Sequence, residues 1–281
     1  GVQTCALPIW LGRDYDGTVE LAALGTIADV VSLTGENRIL VKEGMKRFIH
    51  TPIKGLAALL KASGIVHDDT TEIRRADQVS FGLAPRLNAA GRIARASEGV
   101  RLMTTESAEE AERLAQKLCE INTMRQQIER DIFEQAKSRM AELGIENDMA
   151  VVVDGKDWHP GVIGIVASRI LESCHRPVFV ITVRDGIGKG SCRSIPAFNI
   201  YKALSAQSDI LLQFGGHKMA AGFSIAEEKI PELRRRMNRY AASVLTEEDC
   251  IPVLDVEEEL SLKDVSLDFI HSLDLDRKST R

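Results

Sequence analysis

Apolar residues recur at helical spacing through the first part of the chain. From Thr18 to about Thr105, patterns such as VELAALGTIADVV and NRILVKEGMKRFI alternate with the glycine-bearing segments TGENR and FGLAPRLNAAGRI. Apolar positions three and four residues apart favour amphipathic helices, and glycine-bearing breaks favour turns between them. We therefore predict a mostly helical section here.

A longer helical pattern follows. Between Glu106 and Leu143 the apolar residues form one stripe with a 3.6-residue repeat. Ser107 and Glu110 make a capping box at its start, and Gly144 supplies a stop. A single helix of this length usually joins two domains, so we predict a connecting helix.

The section from about 148 to 246 alternates between strand and helix patterns. The predicted strands are MAVVVD, PVFVITV, GIGKGSCRSI, DILLQF and AGFSI, and the predicted helices are GVIGIVASRILES, NIYKALSAQ and a segment from about Glu228. This alternation predicts an α/β domain with a mixed sheet. Beyond it, VLDVEEELSL alternates apolar and polar residues over one strand length, which predicts the start of a further β-rich domain.

Composition limits the class of protein. With 281 residues, 44% of them hydrophobic and 27% charged, the chain is long enough for about two globular domains. No apolar run approaches the roughly 18 residues that a membrane span needs, so we expect no membrane partner. The net charge of -5 argues against a basic coat for nucleic acid but leaves room for a local basic groove.

The cysteines and the chain ends carry no predicted chemistry. The five cysteines are widely spaced and lack a CxxC pair, which favours reduced cytosolic thiols over disulfides or zinc. GVQTCALPI at 1–9 and RKSTR at 277–281 resemble translated sequencing-adapter read-through, and the chain begins without Met. We therefore expect an internal fragment of a longer gene product.

Three segments of the α/β section place polar groups where strands give way to loops or helix N-termini. They are VVVDGKDWHPGVIG, GKGSCRSIP and FGGHKMAAGF, with the candidate residues His159, Gly161, Ser191, Arg193, Gly215, Gly216 and His217. An arginine fork, a hydroxyl, imidazoles and glycine backbone are groups that a phosphate-binding pocket uses. Taken singly, each also fits a capping serine, a surface arginine or a structural histidine. GIGKGS lacks the spacing of a Walker loop, so it adds little for nucleoside triphosphates.

Two further candidates lie in the helical section. Asp29 interrupts an apolar helix pattern, where a carboxylate either caps, pairs, binds a metal or ends the helix facing water. Arg86, Asn88 and Arg92 lie in APRLNAAGRIAR, within a stretch (72–101) that has six arginines and three acidic residues. Such a basic face suits a phosphate backbone, although a solvated helix face has the same composition. We place Arg86 and Asn88 in a proline-bearing loop.

A different reaction is suggested by DYDGT at 14–18. It matches the DxDGT nucleophile motif of haloacid-dehalogenase-like phosphatases. That motif ends a buried strand, whereas the residues before it include Pro8, Gly12 and Arg13. We therefore set this interpretation aside.

Six segments together resemble one family. GTIADVV, TGENR, GLAPRLNAAGR, DWHPGVIGIVASR, GSCRSIPAFNI and FGGHKMAAGF, in this order around a long helix, are similar to the RecJ family of single-stranded-DNA-specific exonucleases in the DHH phosphoesterase superfamily. The resemblance covers essentially 18–270. It implies an α/β fold with the C-terminal part of a DHH domain at 18–105, a connecting helix at 106–147, a DHH-associated domain at 148–246 and the beginning of an OB-type domain at 250–276.

The resemblance also implies chemistry. Asp29 becomes one ligand of a two-metal cluster of Mn²⁺ or Mg²⁺. The implied substrate-binding residues are Arg86, Asn88, Arg92, His159, Ser191, Arg193, Gly215, Gly216 and His217. The implied activity is 5′ to 3′ hydrolysis of single-stranded DNA in DNA repair and recombination, by a cytoplasmic monomer.

The chain also departs from the family pattern. It contains no Asp-His-His triplet, and Asp29 alone does not hold two cations. We therefore expect this fragment to be inactive by itself. Two alternatives stay open: a superfamily phosphodiesterase of oligonucleotides or cyclic dinucleotides, which would lack the barrel after Ile251, and a non-catalytic DNA-binding scaffold.

Overall fold

The computed structural model describes residues 18–67, 73, 75–254, 256 and 258–277. The chain divides into two compact units, one running to Met124 and resuming at Val256, the other comprising Arg125–Asp255. Residues 1–9 and the first four residues of DYDGT lie outside the described part. No helix among the described residues has the length and apolarity for a membrane crossing.

The first unit is helical, which confirms the prediction for this section. Its helices are α1 (Thr18–Ala28), α2 (Gly35–Arg47), α3 (Lys54–Ala62), α4 (Ala84–Ile93), α5 (Ser97–Thr104) and the first part of α6 (Ala108–Leu143). A π-helix, Gln78–Leu83, leads directly into α4. The segment FGLAPRLNAAGRI is therefore helical, and the predicted turn and proline-bearing loop there are wrong. Pro85 lies in the first turn of α4, directly after the π-helix.

Close backbone packing joins α3 to α5 in this unit. A Cβ atom added at Gly55 of α3 would lie 1.7 Å from the carbonyl oxygen of Leu102 in α5. Around this crossing, Leu56, Leu59 and Leu102 are fully buried in one apolar core. The glycine therefore sets the distance between the two helices, and the leucines supply the burial that holds them together.

The long helix α6 has the predicted ends. The backbone N–H of Glu110 donates to Ser107 Oγ at 3.2 Å. At the other end Gly144 has φ +65°, and the N–H of Ile145 bonds back to the Met140 carbonyl at 3.1 Å. A capped start and a left-handed stop fix where this helix begins and ends.

The second unit contains the predicted mixed sheet. Its strands are β1 (Val151–Lys156), β2 (Val178–Arg184), β3 (Ile187–Arg193), β4 (Leu211–Gly216) and β5 (Ala220–Ala226), in the spatial order β1-β2-β3-β5-β4. Strand β1 is parallel to β2, and the other neighbours are antiparallel. The helices are α7 (Ile163–Cys174), α8 (Ile200–Ser205) and α9 (Ile230–Val244).

The two faces of this sheet differ in what covers them. On one face, Phe179, Ile181 and Phe223 pack with α8 and α9 into the main core. Cys192 belongs to this core, and complete burial raises the pKa of its thiol because the thiolate is desolvated. On the other face, α7 packs against β2 and β3.

Among the described residues of VLDVEEELSL the predicted strand is not formed. They have no ladder partners, and a helix, α10 (Leu267–Arg277), follows. Val253 and Leu254 are 83% and 85% exposed. An alternating strand is stable only with a neighbour for its hydrogen bonds and a core for its apolar face, and neither is present among the described residues. The start of an OB-type domain stays a prediction.

Candidate phosphate-binding site

A row of small residues crosses three strands of the second unit. In the strand registers, Ser191 of β3 lies opposite Gly222 of β5, and Gly222 lies opposite Gly215 of β4. Residues paired in this way share one face of a sheet. Ser191 also pairs with Val180, which is buried on the α7 side. This face therefore continues past α7 as a floor without bulky side chains, which we call the glycine ledge (Ser191, Gly222, Gly215).

Arg193 lies at the helix-covered end of the ledge. It follows Ser191 by two residues in β3, so both side chains point to the α7 face. Its guanidinium donates to the Cys192 carbonyl at 2.8 Å and contacts Ser191 Oγ at 3.4 Å. The side chain is half-buried. These contacts hold the planar guanidinium in one orientation.

The first turn of α7 packs directly on these two side chains. A Cβ added at Gly164 would lie 2.9 Å from Ser191 Oγ and 3.0 Å from Arg193 Nη2. Only glycine admits this approach without a shift of the side chains. The N-terminus of α7, with its partial positive charge, and the guanidinium are thereby brought to one place, which favours an anion.

The loop before α7 is organised by His159. The N–H of Gly161 donates to His159 Nδ1 at 3.1 Å, and the N–H of Val162 donates to the His159 carbonyl at 2.9 Å. Because Nδ1 accepts, Nε2 is the ring nitrogen that donates. The half-buried imidazole therefore shapes the start of α7 and offers one donor.

His217 lies at the turn between β4 and β5. Its N–H donates to the Ala220 carbonyl at 2.8 Å, and Ala220 is the register partner of Arg193. The side chain is exposed. Residues 159, 191, 193, 215 and 217 thus lie on adjoining elements of the second unit, and their role as one site stays a prediction.

The two glycines of FGGH have different roles. Gly216 has φ +143°, and a Cβ there would lie 2.5 Å from Ala221 Cα. The backbone therefore requires this glycine, whether or not a ligand binds. At Gly215 an added Cβ meets nothing within 4 Å. Open space above Gly215 is what an incoming ligand needs, so Gly215 is the stronger candidate for a contact.

Gly215→Val tests whether Gly215 is needed for the fold or for contact with a ligand. We expect the free energy of unfolding to change by less than about 0.5 kcal/mol, because the new side chain enters solvent and valine suits a strand. Affinity for single-stranded DNA, measured by fluorescence anisotropy, should fall at least about tenfold, equivalent to about 1.4 kcal/mol, because the ledge is blocked. Gly25→Ala, a matched site with nothing within 4 Å of the new Cβ, should leave affinity unchanged. Equal affinity of Gly215→Val and wild type would contradict the role of the ledge.

In the first unit, Asp29 follows the last residue of α1. It is exposed, and its N–H donates to the Gly25 carbonyl at 3.0 Å. The next residue, Val30, has φ +60°. A β-branched residue in this left-handed conformation is strained, and such strain concentrates at functional sites. The turn thus holds an outward-facing carboxylate that is able to bind a cation, although the described residues contain no group of three or more metal-binding side chains.

The residues predicted in APRLNAAGR do not form one cluster. Arg86 is half-buried, with Nε 3.3 Å from Cys119 Sγ in α6 and Nη1 donating to the Gly82 carbonyl. Asn88 and Arg92 are exposed and lie one turn apart on α4. Asn88 is about 200° around the helix from Arg86. The structure therefore anchors Arg86 between elements of its own unit and leaves Asn88 and Arg92 facing outward.

Neither Gly164 nor Gly222 was predicted from the sequence as a site residue. Gly164 lies inside the apolar helix pattern GVIGIVAS, where a glycine weakens the helix by about 1 kcal/mol relative to alanine. A glycine at a position that weakens the helix was the sequence signal that could have identified Gly164. Its contacts, with Ser191 and Arg193, appear only once the helix is docked on the sheet.

Comparisons with known proteins identify the family of this chain. Residues 147–243 match the family model of the DHHA1 domain. The chain is 40% identical over 267 residues to the single-stranded-DNA-specific exonuclease RecJ of Bacillus subtilis, covering 94% of this chain and 33% of that protein. It is 41% identical over 223 residues to the same-named protein of Thermus thermophilus, covering 79% and 31%.

Solved structures give the same result. The crystal structure of Thermus thermophilus RecJ in complex with Mn²⁺ superposes with a TM-score of 0.74 at 40% identity, covering 85% of this chain and 35% of that one. The chain thus spans about a third of the length of the curated relatives it matches. The matched length, the identity and the fold show that the chain belongs to the RecJ family and carries the DHHA1 domain of that family.

Proposed function

We propose that this chain is the substrate-binding part of an exonuclease that hydrolyses single-stranded DNA from its 5′ end. The observation that carries the proposal is the meeting of Arg193, Ser191 and the first turn of α7 beside the glycine ledge. The relatives named above are single-stranded-DNA-specific exonucleases. Because the chain spans about a third of their length, the activity of the whole protein is part of the proposal.

The ledge suits a nucleic-acid backbone. A phosphate placed beside Arg193 is complementary to the charge of the guanidinium, and the Ser191 hydroxyl is a further hydrogen-bond donor. The floor at Gly222 and Gly215 carries no side chain that keeps the backbone away. These contacts are made to phosphate and sugar and not to bases. We therefore expect the affinity to depend little on the base sequence.

The proposal assigns Asp29 as one ligand of a pair of divalent cations, Mn²⁺ or Mg²⁺. The fit rests on an exposed carboxylate beside a strained turn, a hard oxygen donor of the kind these ions take. When bound, the pair supplies an activated water and stabilises charge on the leaving oxygen. The role of this chain's own residues is to hold the strand and present the carboxylate.

Asp29→Asn tests this assignment in the full-length protein that contains this chain. Hydrolysis of a 3′-labelled single strand with Mn²⁺ should fall at least about 1000-fold, because loss of a metal ligand weakens stabilisation of the transition state. A 1000-fold loss corresponds to about 4 kcal/mol. Affinity for the strand in the absence of metal should stay within about twofold. Glu36→Gln, at an exposed carboxylate in the first turn of α2, should behave as wild type.

Other results lead to different conclusions. Full hydrolysis by Asp29→Asn would remove this residue from the metal site. Tight binding of single strands with no hydrolysis by the wild type would favour the non-catalytic scaffold. Preference for dinucleotides over longer strands would favour the small-substrate phosphodiesterase. The proposal further includes a monomeric state and a cytoplasmic location, and four free thiols among the described cysteines support the location.

A further inference from the structure

Phe81 is the most exposed aromatic side chain among the described residues, at 79%. It lies in the π-helix Gln78–Leu83, whose Val79 and Leu83 are fully buried. Next to it, a Cβ added at Gly82 would lie 2.8 Å from Ile65 Cδ1. The π-helix is thus packed on its inner side while Phe81 projects from its outer side. Irregular turns of this kind are frequent at functional sites.

The surroundings of Phe81 are basic. Residues 75–97 contain four arginines and one acidic residue, Asp77, which is ion-paired with Arg75. The guanidinium of Arg86 donates to the carbonyl of Gly82, one residue from Phe81. Along α4, Asn88 and Arg92 are exposed. An exposed aromatic ring in a stretch of net positive charge is complementary to a ligand that combines flat rings with negative charge.

We propose that Phe81 is a nucleobase-stacking platform for single-stranded DNA on the first unit. Bases stack on aromatic rings in single-strand binding proteins while basic side chains follow the phosphates, and every base offers such a face. The inference rests on the proposed function and names a base contact for it, distinct from the phosphate contacts of the second unit. Duplex DNA has no free base face to offer, so this contact selects single strands.

The experiment uses the 281-residue chain and a fluorescent single strand of about 16 nucleotides. Phe81→Ala should lower the affinity about tenfold, and Phe81→Trp should keep it. We also expect a series of strands with one abasic site each to include one position of special effect. An abasic site there should lower the affinity of wild type about tenfold and leave the affinity of Phe81→Ala unchanged. Ile39→Ala, at another highly exposed apolar residue of this unit (64%), should match wild type. Circular dichroism should confirm that all variants are folded.

Three results would overturn the proposal. Unchanged affinity of Phe81→Ala, with wild-type binding intact, overturns the stacking role and leaves the proposed function standing. Wild-type affinity of Phe81→Leu shows that an aromatic ring is not needed and points to an apolar protein contact instead. Absence of any single-strand binding by the wild type overturns both this proposal and the proposed function, and Arg193→Ala then shows no effect either.

Discussion

Arg193→Ala is expected to lower the affinity for single-stranded DNA about 100-fold. The guanidinium is held against Ser191 and the first turn of α7, at the helix-covered end of the ledge. Charge-assisted hydrogen bonds contribute about 1.5–3 kcal/mol each, and 1.4 kcal/mol is tenfold in affinity. Fluorescence anisotropy at several salt concentrations measures this. The dependence of affinity on salt should also weaken by about one phosphate contact.

Two variants control for charge and geometry. Arg193→Lys keeps the charge and loses the planar fork, so we expect an affinity between wild type and Arg193→Ala. Arg184→Ala removes an exposed arginine at the end of the neighbouring strand, which is paired with Asp157 at 3.0 Å. Its affinity should stay within about threefold of wild type. Equal losses in Arg184→Ala and Arg193→Ala would show general electrostatic attraction in place of a specific pocket.

Gly55→Ala is expected to destabilise the first unit by about 3 kcal/mol or more. The added Cβ would lie 1.7 Å from the Leu102 carbonyl oxygen and 2.5 Å from its carbon, and backbone atoms do not move aside as side-chain ends do. Overpacking of a buried contact costs about 1–3 kcal/mol even where side chains yield. Urea unfolding followed by circular dichroism measures the loss. Hydrogen exchange should show it first in α3 and α5.

Gly25→Ala is the matched control for this prediction. Gly25 lies within α1, is exposed, and has nothing within 4 Å of the new Cβ. Alanine in a helix is more stable than glycine by about 0.5–1 kcal/mol, so this variant should gain stability. If Gly55→Ala were as stable as Gly25→Ala, the crossing of α3 and α5 described above would be wrong.

The hydrophobic pattern was sufficient for the α/β unit because its strands are buried runs. Val151, Val152 and Val153 in β1 and their neighbours in β2 are fully buried, so the apolar letters and the strand coincide. The helical section was predictable for the same reason. FGLAPR was not, because a glycine signals a turn in sequence, whereas Gly82 lies within a helical segment packed on Ile65.

The candidate site was predictable in its residue types but not in its arrangement. Ser191, Arg193 and Gly215 stood out as phosphate-binding groups beside predicted strands. The register that places Gly215, Gly222 and Ser191 in one row comes from strand pairing, which no local pattern contains. The inward turn of Arg86 toward Cys119 likewise depends on how α4 packs against α6.

The prediction of a strand at 253–262 was wrong for the opposite reason, because the local pattern is present and the tertiary partner is missing among the described residues. Its alternation is a correct local signal for a half-buried strand, but a strand forms only with a partner. In the described structure Val253 and Leu254 are exposed and unpaired. A local pattern therefore predicts what a segment is able to form, and tertiary contacts decide whether it does.

Titration of the isotope-labelled chain with a 5′-phosphorylated dinucleotide, followed by nuclear magnetic resonance, tests the ledge most directly. We expect the amide signals of Gly164, Ser191 and Gly215 to shift together, with one dissociation constant, and the Arg193 guanidinium signal to move with them. Shifts confined to the face covered by α8 and α9, or no shifts at all, would contradict it.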